Sequence, residues 1–218
     1  MPVHDGGVTD RDTEWRWVAE QRRALAGSLD TLAPEAWDGP SLCGDWRIRD
    51  VVGHLVNLAE GTRASVFVDV ARQLRPPSDA ISRIAKREGR SAPDDLVARL
   101  RASADGRFVV PTQRPVAALG EVVVHGVDAL RPSGGTEPPV DAERTQAIAE
   151  TYRRLGPVFG MGRAVRRVRF DATDAGWSVG PIAGPAATGM ATDVLLALAG
   201  RAEGRSALSG PGAELLRR

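Results

Sequence analysis

The alternation of hydrophobic and polar positions predicts a chain built mostly from amphipathic helices. Hydrophobic residues recur every three to four positions between charged ones in four long segments, at residues 13–32, 48–74, 94–105 and 115–130. Proline and glycine end the second and fourth segments, at Pro76-Pro77 and from Pro132 to Gly135. Four helices of this kind are enough for a four-helix bundle. A weaker pattern at 78–88 predicts a short, exposed helix.

The pattern changes in the last third of the chain, where strand-like alternation appears. The signals after the fourth helix are a Pro- and Gly-rich linker at 132–140, a helix at 142–155, strands at 167–172 and 177–179, a helix at 191–201 and a final strand at 205–209. We therefore predict a disordered N-terminus at 1–12, a helix bundle at 13–132 and a small α+β domain at 140–218. This last unit is too small to hold much core unless it docks on the bundle.

Charge and composition exclude several classes of function. The chain has 29 basic and 28 acidic residues, a net charge of +1, and no basic block, which argues against binding to nucleic acid. Its apolar runs are far shorter than the roughly 20 residues that span a membrane, and its N-terminus lacks the apolar core of a signal peptide. The single cysteine, Cys43, cannot form an intrachain disulfide, so we expect a reducing, cytoplasmic location.

Two of the three histidines lie inside strongly apolar helical patterns and are candidate metal ligands. His54 lies in the second long segment and His125 in the fourth. Glu121 precedes His125 by four residues, which places both side chains on one face of a helix. A carboxylate buried in such an apolar stripe needs a positive partner. A divalent metal bound by His54, Glu121 and His125 supplies one, and three ligands leave a position open for water or substrate.

Three blocks of sequence, in this order, resemble one known family. They are LAPEAWDGPSLCGDWRIRDVVGHL at 32–55, GEVVVHGVD at 120–128, and FDATDAGW at 170–177 followed by DVLLALAGR at 193–201. These blocks are similar to motifs of the mycothiol-dependent maleylpyruvate isomerase family. That family belongs to the DinB-like metal-binding helix bundles, and the likeness extends over most of the chain. Val127 departs from the family pattern, which often has an aromatic residue there.

The resemblance implies a fold, a metal and a thiol cofactor. The fold is mostly α, with a DinB-like four-helix bundle followed by a small α+β C-terminal domain. The metal is most often zinc, held by His54, Glu121 and His125, although two imidazoles and a carboxylate also suit nickel or iron. The thiol is mycothiol, which actinobacteria use and which agrees with the Ala-, Gly- and Arg-rich composition. The implied activity is isomerisation or thiol transfer on a small electrophilic substrate.

Three further residues each have two interpretations. Asp128 either orients a histidine ligand through its second ring nitrogen or forms a salt bridge or cap at the helix end. Arg201, in the Ala-Gly-Arg context of the family, either binds a carboxylate of the substrate or thiol, as a catalytic and cofactor-binding residue, or is a surface cation at a helix end. Cys43 is either a packed small side chain or a reactive thiol close to the His54 helix.

Two other functions agree with the same residues. The first alternative is a catalytically silent metal-binding bundle with a regulatory or stress-related binding role. The second is a DinB-like enzyme that uses another thiol or only a metal-bound water. We expect small molecules as partners rather than a nucleic acid or a membrane. A homodimer is also consistent with the sequence.

Overall fold

The computed structural model describes residues 9–61, 77–109, 113–155 and 164–217 and confirms the mostly helical fold. Its α-helices are α1 (Arg11–Leu29), α2 (Ile48–Glu60), α3 (Pro77–Glu88), α4 (Pro93–Ala102), α5 (Pro115–Leu130), α6 (Ala142–Leu155), α7 (Ala164–Arg167), α8 (Ala191–Leu198), α9 (Ala202–Ala207) and α10 (Pro211–Arg217). Its strands are β1 (Arg169–Ala172), β2 (Trp177–Val179) and β3 (Ala186–Gly189), and a short 3-10 helix covers Pro34–Asp38. None of these helices is long and apolar enough to cross a membrane.

The four long helices predicted for the bundle correspond to α1, α2, α4 and α5. Asp10 begins α1 because its carboxylate accepts a hydrogen bond from the backbone N–H of Thr13 at 3.0 Å. Asp50 does the same for α2, accepting from the backbone N–H of Arg47 at 3.0 Å. The predicted extension of the second helix over 62–74 lies outside the described residues. So does most of the N-terminal stretch predicted to be disordered, residues 1–8.

Helix α3 is not the exposed helix that its weak apolar pattern predicts. It packs closely on α2, where a Cβ atom at Gly53 would lie 2.7 Å from the backbone nitrogen of Gly89. Ala80 and Ala85 are buried at this contact, while Ile81 remains 45% exposed. Small residues on both helices let the backbones approach, so α3 is a layer of the bundle.

The C-terminal part contains a three-stranded sheet in the order β2-β1-β3. The predicted hairpin is confirmed, since β1 pairs antiparallel with β2 and Phe170 lies opposite Val179. Strand β3 runs parallel to β1 and was not predicted. The strand predicted at 205–209 is wrong. Residues 202–207 form α9, because Gly204 packs against α8, and Ser209 alone makes an isolated bridge with Thr188.

One continuous core joins the bundle to the C-terminal part. Its fully buried members include Val18 of α1, Leu119 of α5, Phe170 of β1 and Val194 of α8. Trp177 of β2 adds a polar link, since its indole N–H donates to the hydroxyl of Thr145 in α6 at 2.9 Å. This contact surface agrees with the expected docking, while the division into domains at 132–140 stays a prediction.

A shared core predicts that the two parts unfold together. We expect Phe170→Ala to lower the free energy of unfolding by about 3–5 kcal/mol, because it removes a fully buried ring and leaves a cavity. Chemical denaturation followed by far-UV circular dichroism and tryptophan fluorescence measures the change. The exposed Ile182→Ala is the control, expected to change stability by less than about 0.5 kcal/mol. Two separate transitions, with only one shifted by Phe170→Ala, would contradict the shared core.

Candidate functional site

A cavity of about 430 Å³ opens between the bundle helices and the C-terminal part. Helices α2 and α5 supply much of its wall, with Leu55 and Val124 among the apolar side chains. Leu198, Ala199 and Arg201 close it from the C-terminal part. A cavity of this size, largely apolar with a few polar groups, is typical of sites for small ligands.

The three residues predicted as metal ligands meet in this cavity. His54 projects from the middle of α2, and Glu121 and His125 project from one face of α5. The Nε2 atom of His54 lies 3.5 Å from Oε2 of Glu121, and the Nε2 atom of His125 lies 3.3 Å from the same oxygen. One donor atom from each of the three residues lies within 4.8 Å of the others. Both histidines are buried, and the Glu121 side chain is one-third exposed within the cavity.

Trp46 holds the two imidazoles from one side. Its ring lies 5.2 Å from the ring of His54 and stacks on that of His125 at 6.0 Å, measured between centroids. Its indole N–H donates to the hydroxyl of Ser82 at 3.1 Å, which fixes the ring against α3. The sequence predicts Trp46 only as a packing residue. Its position shows that it also orients the histidines.

Asp128 and Arg201 form a buried chain of contacts behind His125. The carboxylate of Asp128 lies 2.9 Å from Nδ1 of His125, so Nδ1–H donates to Asp128 and Nε2 is the ring nitrogen that faces Glu121. Arg201 donates to the same carboxylate through Nε at 3.0 Å and Nη2 at 2.7 Å. Asp128 thus makes both of the contacts that the sequence left as alternatives. Arg201 lines the cavity, and two of its guanidinium nitrogens, Nε and Nη2, donate to Asp128.

Cys43, which the sequence left as either a packed side chain or a thiol close to the His54 helix, lines this cavity, as does Tyr152, which was not predicted there. The sulfur of Cys43 lies 3.3 Å from Nη2 of Arg201. Tyr152 packs over Gly120, where a Cβ atom would lie 2.7 Å from the phenol oxygen. Gly120, next to Glu121, was the available signal, because a glycine inside a helix often marks close approach of a neighbour.

The electrostatics of the cluster favour positive charge between the carboxylates. Burial acts to raise the pKa of Glu121, but the two neighbouring histidines outweigh it and hold that pKa well below its usual range. Burial lowers the pKa of His54. For His125, burial is outweighed by the contacts with Asp128, Cys43 and Glu121, which raise its pKa well above the ordinary value. Such an environment also suits a divalent cation.

The two distances from Glu121 to the histidines are long for hydrogen bonds and agree with the spacing of ligands around one metal ion. Bonds of about 2.0–2.2 Å from zinc to nitrogen or oxygen place adjacent ligand atoms about 3.3–3.5 Å apart. The two Glu121–histidine distances are 3.3 and 3.5 Å. Ordinary N–H···O hydrogen bonds are shorter, at about 2.7–3.2 Å. These two distances are therefore compatible with one metal ion held by the three residues.

The fold and this cluster define a helical-bundle protein with a candidate three-ligand metal centre. Residues 18–118 match the family model of the mycothiol maleylpyruvate isomerase N-terminal domain, so this part of the chain is similar to that domain. The resemblance noted in the sequence is thereby confirmed.

Two solved structures have the same fold over nearly the whole chain. The crystal structure of mycothiol-dependent maleylpyruvate isomerase matches with a TM-score of 0.61 at 12% identity, covering 94% of each chain. A histidine-to-alanine mutant of that enzyme matches with a TM-score of 0.60, at the same identity and coverage. Comparison with curated protein sequences gives no match. At 12% identity these likenesses establish the fold.

The buried pair of Asp128 and Arg201 predicts a pH-dependent loss of stability in Arg201→Met. Asp128 is fully buried, and removal of its cation should cost about 3 kcal/mol at pH 7. Burial raises the pKa of Asp128, but His125 and Arg201 outweigh it and lower that pKa. Their stabilisation is complete above the pKa of an unfolded aspartate, about 3.9, and is lost as pH falls through the lower folded value.

The difference in stability between the native protein and Arg201→Met should therefore shrink below about pH 4. Urea denaturation at several pH values measures it. Arg101→Met is the matched control, since Arg101 pairs with Asp30 at the surface and should contribute less than about 1 kcal/mol at any pH. Equal losses in the two variants would contradict the buried pair.

Proposed function

We propose that the chain is a metal-dependent, mycothiol-using isomerase or thiol transferase that acts on a small electrophile. The observation that carries this proposal is the cluster of His54, Glu121 and His125 donor atoms, all within 4.8 Å of one another, in a cavity closed by the C-terminal part. The match of residues 18–118 to the model of the mycothiol maleylpyruvate isomerase N-terminal domain supports the choice of thiol. A single free thiol, Cys43, agrees with a cytoplasmic location.

Zinc is the metal that we assign to the three ligands, with nickel or iron as alternatives from the same donor types. A bound zinc ion lowers the pKa of a thiol or water at its open position, which makes a thiolate available near pH 7. Glu121 balances part of the metal charge. Asp128 keeps His125 in the tautomer whose Nε2 is free to bind.

The apolar walls of the cavity limit the reaction of the substrate with water. Apolar side chains such as Leu55 and Val124 keep water away from the reacting atoms. In the proposed reaction, sulfur forms a bond to an electrophilic carbon of a conjugated double bond. The former double bond then rotates as a single bond. Expulsion of the sulfur restores the double bond and the thiolate, which gives isomerisation, whereas loss of another leaving group gives transfer.

We assign to Tyr152 the role of a donor at the oxygen of the substrate, where negative charge develops, and to Arg201 a supporting role. Burial and the charge of Glu121 raise the pKa of Tyr152 well above its usual value, so the phenol stays a neutral donor. Arg201 uses both Nε and Nη2 on Asp128, and Nη1 donates to the carbonyl of Ala199 at 2.9 Å. It therefore acts mainly by fixing Asp128 and by its positive charge.

The metal site predicts about one zinc, nickel or iron ion per chain in the native protein. His54→Ala and Glu121→Ala should each lose it, because two protein ligands hold a metal far more weakly than three. Elemental mass spectrometry on purified and reconstituted protein measures the content. Glu150→Ala is the control, since Glu150 is half-exposed on α6, where it pairs with Arg154 and accepts a hydrogen bond from Gln146. A native protein without metal after reconstitution would remove the proposed mechanism.

Turnover should require both the metal and the thiol. We expect a chelator to abolish conversion of conjugated electrophiles and zinc to restore it, with mycothiol supporting turnover and glutathione supporting much less. Liquid chromatography with mass spectrometry separates isomerised products from thiol adducts. Turnover without any thiol would favour a metal-bound water instead. Full metal content without turnover for any thiol would favour the silent binding protein.

A further inference from the structure

Three rings are in mutual contact at the metal-ligand cluster. The centroids of Trp46 and His54 lie 5.2 Å apart, those of Trp46 and His125 lie 6.0 Å apart, and those of the two imidazoles lie 5.0 Å apart. The indole is tilted by 60° to His54 and is closer to parallel with His125, at 22°. Rings packed at these distances restrict one another, because none can rotate far without displacing a neighbour.

The two imidazoles differ in how their second ring nitrogen is held. Nδ1 of His125 donates to Asp128 at 2.9 Å, which is the usual way in which a protein orients a histidine ligand. His54 faces Glu121 through Nε2, and its Nδ1 atom has no hydrogen-bond partner among the residues that the structure describes. His54 is nevertheless buried, with 7% of its surface exposed. Its orientation therefore depends on packing, and Trp46 packs against it from outside the set of ligands.

The backbone of Trp46 is fixed by its own loop. Its carbonyl accepts from the backbone N–H of Ser41 at 3.1 Å and from the Ser41 hydroxyl at 2.8 Å. Its N–H donates to the carbonyl of Cys43 at 3.2 Å. These bonds leave the indole free to turn about the two side-chain bonds that join it to the backbone. A contact at the far end of the side chain is needed to hold the ring.

Ser82 of α3 supplies that contact. Its hydroxyl accepts from the indole N–H of Trp46 at 3.1 Å. Lys86, one turn further along the same face of α3, pairs with Asp45 at 2.5 Å, so α3 contacts two consecutive residues of the loop. Helix α3 is itself packed closely on α2. The position of α3 therefore sets the position of the indole, and the indole sets the orientation of the imidazoles.

We propose that Trp46 is a positioning residue of the metal centre and that Ser82 acts on the centre through it. The proposal rests on the function proposed above, because it concerns the affinity of the same three ligands for their metal. The indole N–H is a donor only and is directed at Ser82, so Trp46 is not itself a ligand. The two side chains instead reduce the number of orientations that the imidazoles have before the metal binds. Ligands that are already oriented lose less entropy on binding.

A double-mutant cycle on zinc affinity tests the proposal on the full chain. Zinc is titrated in competition with a chelator of known affinity into the native protein, Trp46→Phe, Ser82→Ala and the double variant. Trp46→Phe keeps an aromatic ring and removes the indole N–H, whereas Ser82→Ala removes the acceptor. Each single variant should bind zinc about fivefold more weakly, as expected for the loss of one hydrogen bond. The double variant should bind no more weakly than Trp46→Phe alone, because the bond is already lost.

Arg87→Met is the control for a general effect of substitutions in α3. Arg87 is exposed on that helix and pairs with its neighbour Glu88, so the zinc affinity of this variant should equal that of the native protein. Three results would overturn the proposal. They are native affinity in both single variants, losses that multiply in the double variant, and a loss in Arg87→Met as large as that in Ser82→Ala.

A second measurement uses the metal-free protein at constant pH, so that failure of the metal site and failure of the positioning role give different results. The ring-proton resonances of His54 and His125 are assigned from their absence in His54→Ala and His125→Ala. The nearby indole ring shifts these resonances, so they should move in Ser82→Ala and stay unchanged in Arg87→Met. Unmoved resonances in Ser82→Ala would contradict the positioning role. Moved resonances in a protein that binds no zinc would support that role and count against the proposed function.

Discussion

The structure depends on one line of polar and charged side chains that runs from α2 through α5 to the C-terminal part. His54, Glu121, His125, Asp128 and Arg201 follow one another, each within 3.5 Å of the next. Each of these groups would be unfavourable if it were buried alone, because a polar or charged group loses its hydration without compensation. Each therefore requires the next one in place. The requirement extends across the whole fold, since Arg201 comes from a segment more than 70 residues after Asp128.

This line explains why the bundle and the C-terminal part share a core. Arg201 follows α8, and α8 packs its buried Val194 and Leu198 into the same core as Val18 and Leu119. The loop before α2 is fixed at the same place, because the backbone N–H of Leu42 donates to the carbonyl of Asp128 at 3.0 Å. Packing therefore sets the direction of the ion pair, and the ion pair in turn fixes the imidazole that faces the cavity.

The sequence predicted the parts of this arrangement that local spacing determines. The apolar period of 3.6 residues placed α1, α2 and α5, and the four-residue spacing of Glu121 and His125 put both on one face. It did not predict β3, whose Ala-Ala-Thr-Gly segment has weak strand propensity and forms a strand because it pairs with β1. Nor did it distinguish Arg22 from Arg23. Burial of Arg22 depends on the loop after α4, about 80 residues away.

Most of the N–H donors of Arg201 already have acceptors in the protein, which limits how Arg201 can bind an anionic ligand. Four of its five N–H donors are directed at Asp128, Cys43 and Ala199. A ligand carboxylate that accepted these hydrogen bonds would leave Asp128 buried without its cation. The free energy lost at Asp128 would exceed the free energy gained from the new ion pair. Recognition of an anion is therefore more favourable at a cation whose paired donors are not committed. The role left to Arg201 is to hold Asp128 in place, and through Asp128 the ring of His125.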